Sequence, residues 1–183
     1  MNKSKTVMLF FVGSEAFFFL AMIIAFVFYS RQGGVMNPAV KYLDVPRTAV
    51  FSFFLFFSSL TLWLSERKLR QGKRMAHLIW LLITIVCGLI FITGQGTEYS
   101  RLFRENITIS KNVFSSSFFT LTGFHGLHVI IGLIVLLIVG VLIQGRSAEK
   151  IEGDAMTGAS IYWHFVDAVW VAVFSVVYIG SIV

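Results

Sequence analysis

Two histidines, His125 and His128, stand in the stretch TGFHGLHVIIG at residues 122–132, inside an apolar run long enough to cross a bilayer. A side chain that can carry charge near a membrane midplane costs roughly 2.5 kcal/mol or more to place there. Something in the fold must offset that cost, which makes the pair the first place to look for a role. Three apart on a helix, the two imidazoles project from neighbouring positions of one face. Imidazole ligates copper, iron and zinc, so a metal site is one reading. Two ligands on one helix are too few, His164 lies in another segment, and His77 is expected at the inner interface. The other reading is a pair of neutral histidines hydrogen-bonded inside a bundle, and the expectation is that no metal is bound.

Three more ionisable groups repeat the oddity. Glu15 sits about eight residues into the first apolar segment, or roughly 12 Å along a helix axis. It reads either as a neutral acid donating a hydrogen bond to a neighbouring helix, as a proton relay, or as a site for a lipid headgroup or for helix pairing. His164 and Asp167 recur at the same three-residue spacing in YWHFVDAVW, residues 162–170. A contact of Asp167 with Glu15 or with a histidine is geometrically open. The apolar cores hold no Arg or Lys, so the buried acids must be neutral, paired with histidine, or wet. Glu98, at the end of the third segment, is expected to be hydrated at the outer interface in a capping role.

The elements that must position these groups are membrane helices. Of the 183 residues 57% are hydrophobic and only 13% charged, about half the charged share of a soluble domain. Five apolar stretches, at about 7–29, 47–65, 76–97, 113–143 and 159–182, approach or exceed the ~20 residues that span ~30 Å of hydrocarbon. The expected fold is therefore all-α, a polytopic bundle of five transmembrane helices forming one domain. The first stretch follows Lys3 and Lys5 but contains Glu15 and ends in bulky residues; it reads as a retained helix, not a signal peptide. The single cysteine, Cys87, permits no internal disulfide and no cysteine-based cluster, and reads as an apolar filler.

The net charge of +6 does not point to nucleic acid, because the basic residues sit in short links between apolar segments. They read as topology signals. With the N-terminus inside, nine of the Lys and Arg fall on the inner side (Lys3, Lys5, Arg67, Lys68, Arg70, Lys73, Arg74, Arg146 and Lys150) and six on the outer. A cytoplasmic N-terminus and an outward C-terminus follow. Residues 31–46, with Gly33-Gly34 and Asn37-Pro38, read as the longest irregular link, residues 98–112 as an outer loop, and residues 144–158 as a mixed-charge inner loop. Asn106, Ile107 and Thr108 match a glycosylation acceptor, a short and common pattern of little weight here. Gly123, Gly126, Gly132, Ser58 and Ser59 offer close helix approach. Trp63, Trp80 and Trp163 are expected near the interfaces, and Trp170 within the bundle. No Rossmann glycine pattern, cysteine cluster or multi-helix haem-ligand set is present.

These blocks together carry a family resemblance. SEAFFF at 14–19, QGTEY at 95–99 with Ile109-Ser110, SFFTLTGFHGLHVIIG at 117–132 and YWHFVDAVW at 162–170 occur in order along nearly the whole chain. The chain resembles subunit III of the haem–copper terminal oxidases, in its short five-helix bacterial form. The resemblance implies a non-catalytic core subunit beside catalytic subunit I, with the haems and copper on partner subunits and no cofactor on this chain. It implies bound phospholipid and support for oxygen and proton delivery over many turnovers. Glu15 matches the family's membrane glutamate, and His125, His128, His164 and Asp167 match its helix-core polar residues. The chain as read begins at that glutamate helix, so the two extra N-terminal helices of the long form are expected to be missing. A histidine pair that long forms carry on the next helix is replaced by SSLTLW at 58–63.

The expected function is thus subunit III of a respiratory oxidase in a bacterial cytoplasmic membrane. Cytochrome c oxidase is the primary expectation, and the equivalent subunit of a quinol oxidase or nitric oxide reductase system the nearest rival. An autonomous transporter would call for internal repeats with broken helices, which the sequence does not show.

Overall fold

The computed structural model describes residues 3–32, 43–145 and 149–179. It contains five long helices: α1 (Lys3–Gln32), α2 (Val45–Arg70), α3 (Arg74–Arg104), α4 (Val113–Gln144) and α5 (Glu149–Phe174), the last continued by one π-helical turn, Ser175–Ile179. Among the described residues there is no strand. All five helices are long and apolar enough to cross a membrane.

The helices outrun the apolar stretches that betray them. Helix α3 continues through Arg104, so the expected outer loop at 98–112 shrinks to residues 105–112, and Glu98 belongs to a helix. Likewise α5 starts at Glu149, so most of the expected inner loop at 144–158 is helical. Hydropathy marks only the part of a helix that meets hydrocarbon, whereas backbone hydrogen bonds carry the helix on into polar surroundings. The last turn of α2 shows this: Arg70 reaches back to Glu66 at 2.6 Å, one turn away. The signals at Gly33-Gly34 and Asn37-Pro38, and the charges Lys41 and Arg146, lie outside the described residues.

Local chemistry sets the ends. Asp44 caps α2 by accepting from the Arg47 backbone N–H at 3.2 Å, with proline in the first turn. Asn112 caps α4 through the Ser115 N–H at 2.7 Å. Between α2 and α3 the chain reverses in three residues, and Gly72 takes φ +72° there, which a glycine adopts without steric cost.

Helices α2 and α3 form a tight hairpin, α4 and α5 pair at the centre, and α1 lies against α4 and α5. Helix α3 also packs on α4, and α2 on α5. Only 6% of the most apolar window of α1 is buried, against 33–50% for the others, so α1 is the peripheral helix. Since lipid is as apolar as leucine, helix association rests on shape and polar contacts. Hydroxyl groups supply rungs: Trp163 Nε1 donates to Ser58 Oγ at 2.9 Å, and Trp170 Nε1 to Ser52 Oγ at 2.8 Å, joining α5 to α2. Thr61 meets Thr84 at 2.8 Å across the α2–α3 hairpin. Trp163, expected at an interface, is instead 1% exposed at the centre of the bundle, because α5 starts ten residues earlier than its apolar stretch. His77, expected at the inner interface, is wholly buried against Ser65, whose hydroxyl lies 2.8 Å from its Nδ1.

Two glycines make room for the Trp163 indole. A Cβ at Gly132 would stand 2.8 Å from Trp163 Cε3, and one at Gly88 2.9 Å from Cη2 and 2.7 Å from Leu133 Cδ2. Gly132→Ala therefore forces the ring aside and is expected to lower stability by about 1–3 kcal/mol. Gly13→Ala, whose Cβ would meet nothing within 4 Å, is expected to leave it unchanged or raise it by up to about 1 kcal/mol, since alanine is the better helix former. Thermal unfolding of the two variants in one detergent checks the contrast.

Candidate functional site

The five membrane-embedded candidates do not form one seam. The structure divides them among three places, with Glu98 in a fourth.

Glu15 and His128 form the first. Glu15 Oε2 lies 3.1 Å from His128 Nε2, joining peripheral α1 to α4. The other ring nitrogen, Nδ1, stands 2.8 Å from the Phe124 carbonyl one turn back. A carbonyl oxygen only accepts, so Nδ1 carries a hydrogen. Nε2 then either accepts from a protonated Glu15 or, as imidazolium, donates to its carboxylate. Both arrangements hold one proton in the contact and leave the pair with no net charge. That closes the electrostatic account of two ionisable groups in an apolar setting without any cation from elsewhere. Phe19 sets its ring edge-on to the imidazole with centroids 4.9 Å apart, and the Tyr162 hydroxyl donates to the His128 carbonyl at 3.2 Å.

His125 occupies the second place. Its ring is fully buried and stacks on Trp170 with centroids 4.7 Å apart, while Phe91 and Phe19 meet it at 6.0 and 6.4 Å. Neither ring nitrogen has a hydrogen-bond partner. The adjacent histidines therefore serve different neighbours, His128 turning to α1 and His125 into an aromatic cage shared by α1, α3 and α5.

In the third place Ser59 of α2 links the α5 pair. His164 Nδ1 lies 3.1 Å from Ser59 Oγ, and Ser59 is also the hydrogen-bonding neighbour of Asp167. Asp167 is buried, whereas His164 is exposed on the flank of the bundle. The contact of Asp167 with Glu15 or a histidine that spacing left open is not made; a serine takes it. Glu98, expected to be hydrated, is 6% exposed instead. Its Oε2 accepts from Tyr178 at 2.7 Å and from Thr48 at 3.2 Å, tying α3 to α2 and to the turn after α5. Nearby, Arg101 pairs with Asp44 at 2.8 Å.

Ser58 and Ser59 were expected only as small residues for close approach and Ser52 was not singled out, yet all three meet polar atoms of α5. A signal for Ser52 and Ser58 is present: Thr48, Ser52, Leu55, Ser58, Thr61, Leu62 and Ser65 make up the buried face of α2, a repeat of three to four residues that marks one side of a helix. Among the described residues no group of three or more His, Cys, Asp and Glu is placed to hold a metal ion. Ser59 and His164 bring a hydroxyl to an imidazole on the exposed flank of the bundle, and Ser65 and His77 do so in its buried interior. What the arrangement does is pair helices.

Comparison with known proteins places this polytopic helical bundle. The family model for cytochrome c oxidase subunit III matches residues 2–182. The chain is 34% identical over 169 residues to cytochrome c oxidase subunit 3 of Corynebacterium diphtheriae, a match spanning 90% of this chain and 82% of the relative. It is 32% identical over 167 residues to a probable cytochrome c oxidase subunit 3 of Mycobacterium leprae, over 91% and 83% of the two chains. A probable quinol oxidase subunit 3 of Staphylococcus aureus is 33% identical over 140 residues, 76% of this chain and 70% of the relative. The chain belongs to the cytochrome c oxidase subunit III family.

The Glu15–His128 contact yields a direct test. A double-mutant cycle of Glu15→Leu and His128→Leu is expected to give a coupling of about 0.6–1.7 kcal/mol, the range of interhelical hydrogen bonds in membranes. Glu15→Gln, whose amide still donates to Nε2, should retain most of it. Detergent unfolding of the four variants, the two leucine singles, their double and Glu15→Gln, measures both.

Proposed function

We propose that this chain is the non-catalytic subunit III of a respiratory cytochrome c oxidase. It packs beside catalytic subunit I, which carries haem and copper with the other subunits, and holds that partner in an active form while oxygen and protons are delivered. The observation that carries this reading is that Glu15, matched by position to the family's membrane glutamate, is spent on a net-neutral contact between two helices. A group so closed fastens a scaffold. A quinol oxidase is the second reading, favoured by the relative from Staphylococcus aureus; the longer matches to cytochrome c oxidase subunits favour the first.

The same reading places the chain in a bacterial cytoplasmic membrane with its N-terminus inside, on the asymmetry of its basic residues. It also includes bound phospholipid. A hollow of about 540 Å³ at the end of the bundle near the α2–α3 turn is bordered by Lys5, Arg70 and Arg74, with Glu66 and Asp154 beside them. That mixture of charges suits a phosphate and an amine on one headgroup.

Purification of the complex with this chain as bait tests the proposal. A haem spectrum and a haem-bearing oxidase subunit are expected, and their absence would sink it. Within that complex Glu15→Ala should leave haem content intact. Retention of this chain through washing should fall by about 3- to 20-fold, the equivalent of one lost interhelical contact. Loss of haem would contradict the division of labour.

A further inference from the structure

We propose that the open face of α5 between α1 and α2, centred on His164, is where a transmembrane helix of another oxidase subunit docks, presenting a Ser, Thr, Asn or Gln side chain to His164 Nε2. This rests on the reading of the chain as an oxidase subunit and adds to it the surface and the chemistry of the contact. His164 stands close to the middle of the membrane-spanning stretch Gly153–Tyr178, yet it is exposed. Its Nδ1 is engaged by Ser59, and among the described residues nothing meets its Nε2. An imidazole edge turned outward at that depth is costly unless something polar covers it.

The neighbours of α5 define the face. Ser160, Trp163 and Asp167 turn to α2. Tyr162 and Phe165 turn to α1 through Phe11 and Phe19. Between these two sides run His164, Ala168, Val171, Ala172 and Ser175, all exposed and spaced as one stripe of a helix. Helices α1 and α2 do not pack along each other, so the stripe is uncovered. Below and above the histidine level, Phe56 and Trp63 of α2, one turn either side of Ser59, are also exposed. The floor is small-sided where the histidine is not, which lets a partner backbone come close.

Polar complementarity selects the occupant. An acyl chain offers no hydrogen bond at this depth and would leave Nε2 as costly as before. The Nε2 atom accepts if Nδ1–H donates to Ser59, and donates if the Ser59 hydroxyl donates to Nδ1. A hydroxyl or amide side chain satisfies either tautomer, and a helix is the element that can carry one to mid-membrane with its own backbone satisfied.

The test places photoreactive p-benzoylphenylalanine at Ala168 in the full chain and irradiates the purified complex. The expected result is a covalent adduct between this chain and one other oxidase subunit. An adduct with lipid alone, an adduct with a second copy of this chain, or no adduct overturns the docking surface. In parallel, His164→Leu is expected to speed loss of this chain from the complex about threefold, the effect of one membrane hydrogen bond, and His164→Gln to restore retention. Equal retention of the two variants also overturns the proposal. A wild-type preparation without a haem-bearing subunit would sink the oxidase reading itself; a haem-bearing complex lacking the Ala168 adduct removes the docking surface and leaves that reading standing.

Discussion

Trp163 and Trp170 each carry one N–H that hydrocarbon cannot satisfy, and each reaches from α5 to a serine of α2. The rest of the bundle depends on that pair of contacts. Because the indoles are seven residues apart and their serines six apart in the opposite direction, the two rungs fix α2 and α5 as antiparallel neighbours in one register. The hairpin then brings α3 along with α2, through Thr61–Thr84 and Ser65–His77. The same indoles shape the centre: Trp163 fills the space left by Gly88 and Gly132, and Trp170 supplies the floor on which His125 stacks. One constraint, that a polar atom in lipid must find its partner inside the protein, thus sets register, close approach and the placing of a histidine.

The other ionisable groups meet the same constraint in different ways, and His125 is the exception. Glu15 and His128 hold one proton between them without net charge, and their contact joins α1, the helix with least buried surface, to the central pair beside the ring contacts of Phe11, Phe18, Phe19 and Phe26. Asp167 and Glu98 use hydroxyl donors from Ser59, Thr48 and Tyr178. His125 uses no hydrogen bond and lies between rings instead. These are separate solutions, with no continuous chain of hydrogen bonds linking them among the described residues.

Most of the architecture was legible in the residues, and the reasons for the misses are specific. Five apolar stretches announced five helices because length against bilayer thickness is a severe requirement. Their ends were not legible, since Glu66–Arg70 or 149–158 are as polar as any loop and helical all the same. Glu98, His77 and Trp163 were misplaced by that one error: each was assigned a depth from the edge of an apolar run, and each lies within a longer helix. The grouping of His125 with His128 failed for a geometric reason. Three residues of α-helix leave side chains about 60° apart around the axis, enough on a central helix for the two to face different neighbours. Sequence gives the face of a helix to within that angle, and α4 is ringed by α1, α3 and α5 too closely for that to choose among them.

The asymmetry among the candidates separates what serves this chain from what serves its surroundings. Glu15, His128, Asp167 and Glu98 have partners inside the chain, so substituting them first disturbs the chain's own packing. His164 is different, because one of its nitrogens is used within the chain and the other faces out at mid-membrane. Folding of the isolated subunit gains nothing from an exposed imidazole edge in lipid, where leucine would be cheaper by the whole cost of the polar group. The Ser59 contact does not account for it either, since an asparagine could bond the serine with a shorter, less exposed side chain. What an outward imidazole adds is a directional contact for something outside the bundle. In a family named for a subunit of a larger oxidase, a polar edge turned outward at that depth is where a contact from outside the bundle would be made.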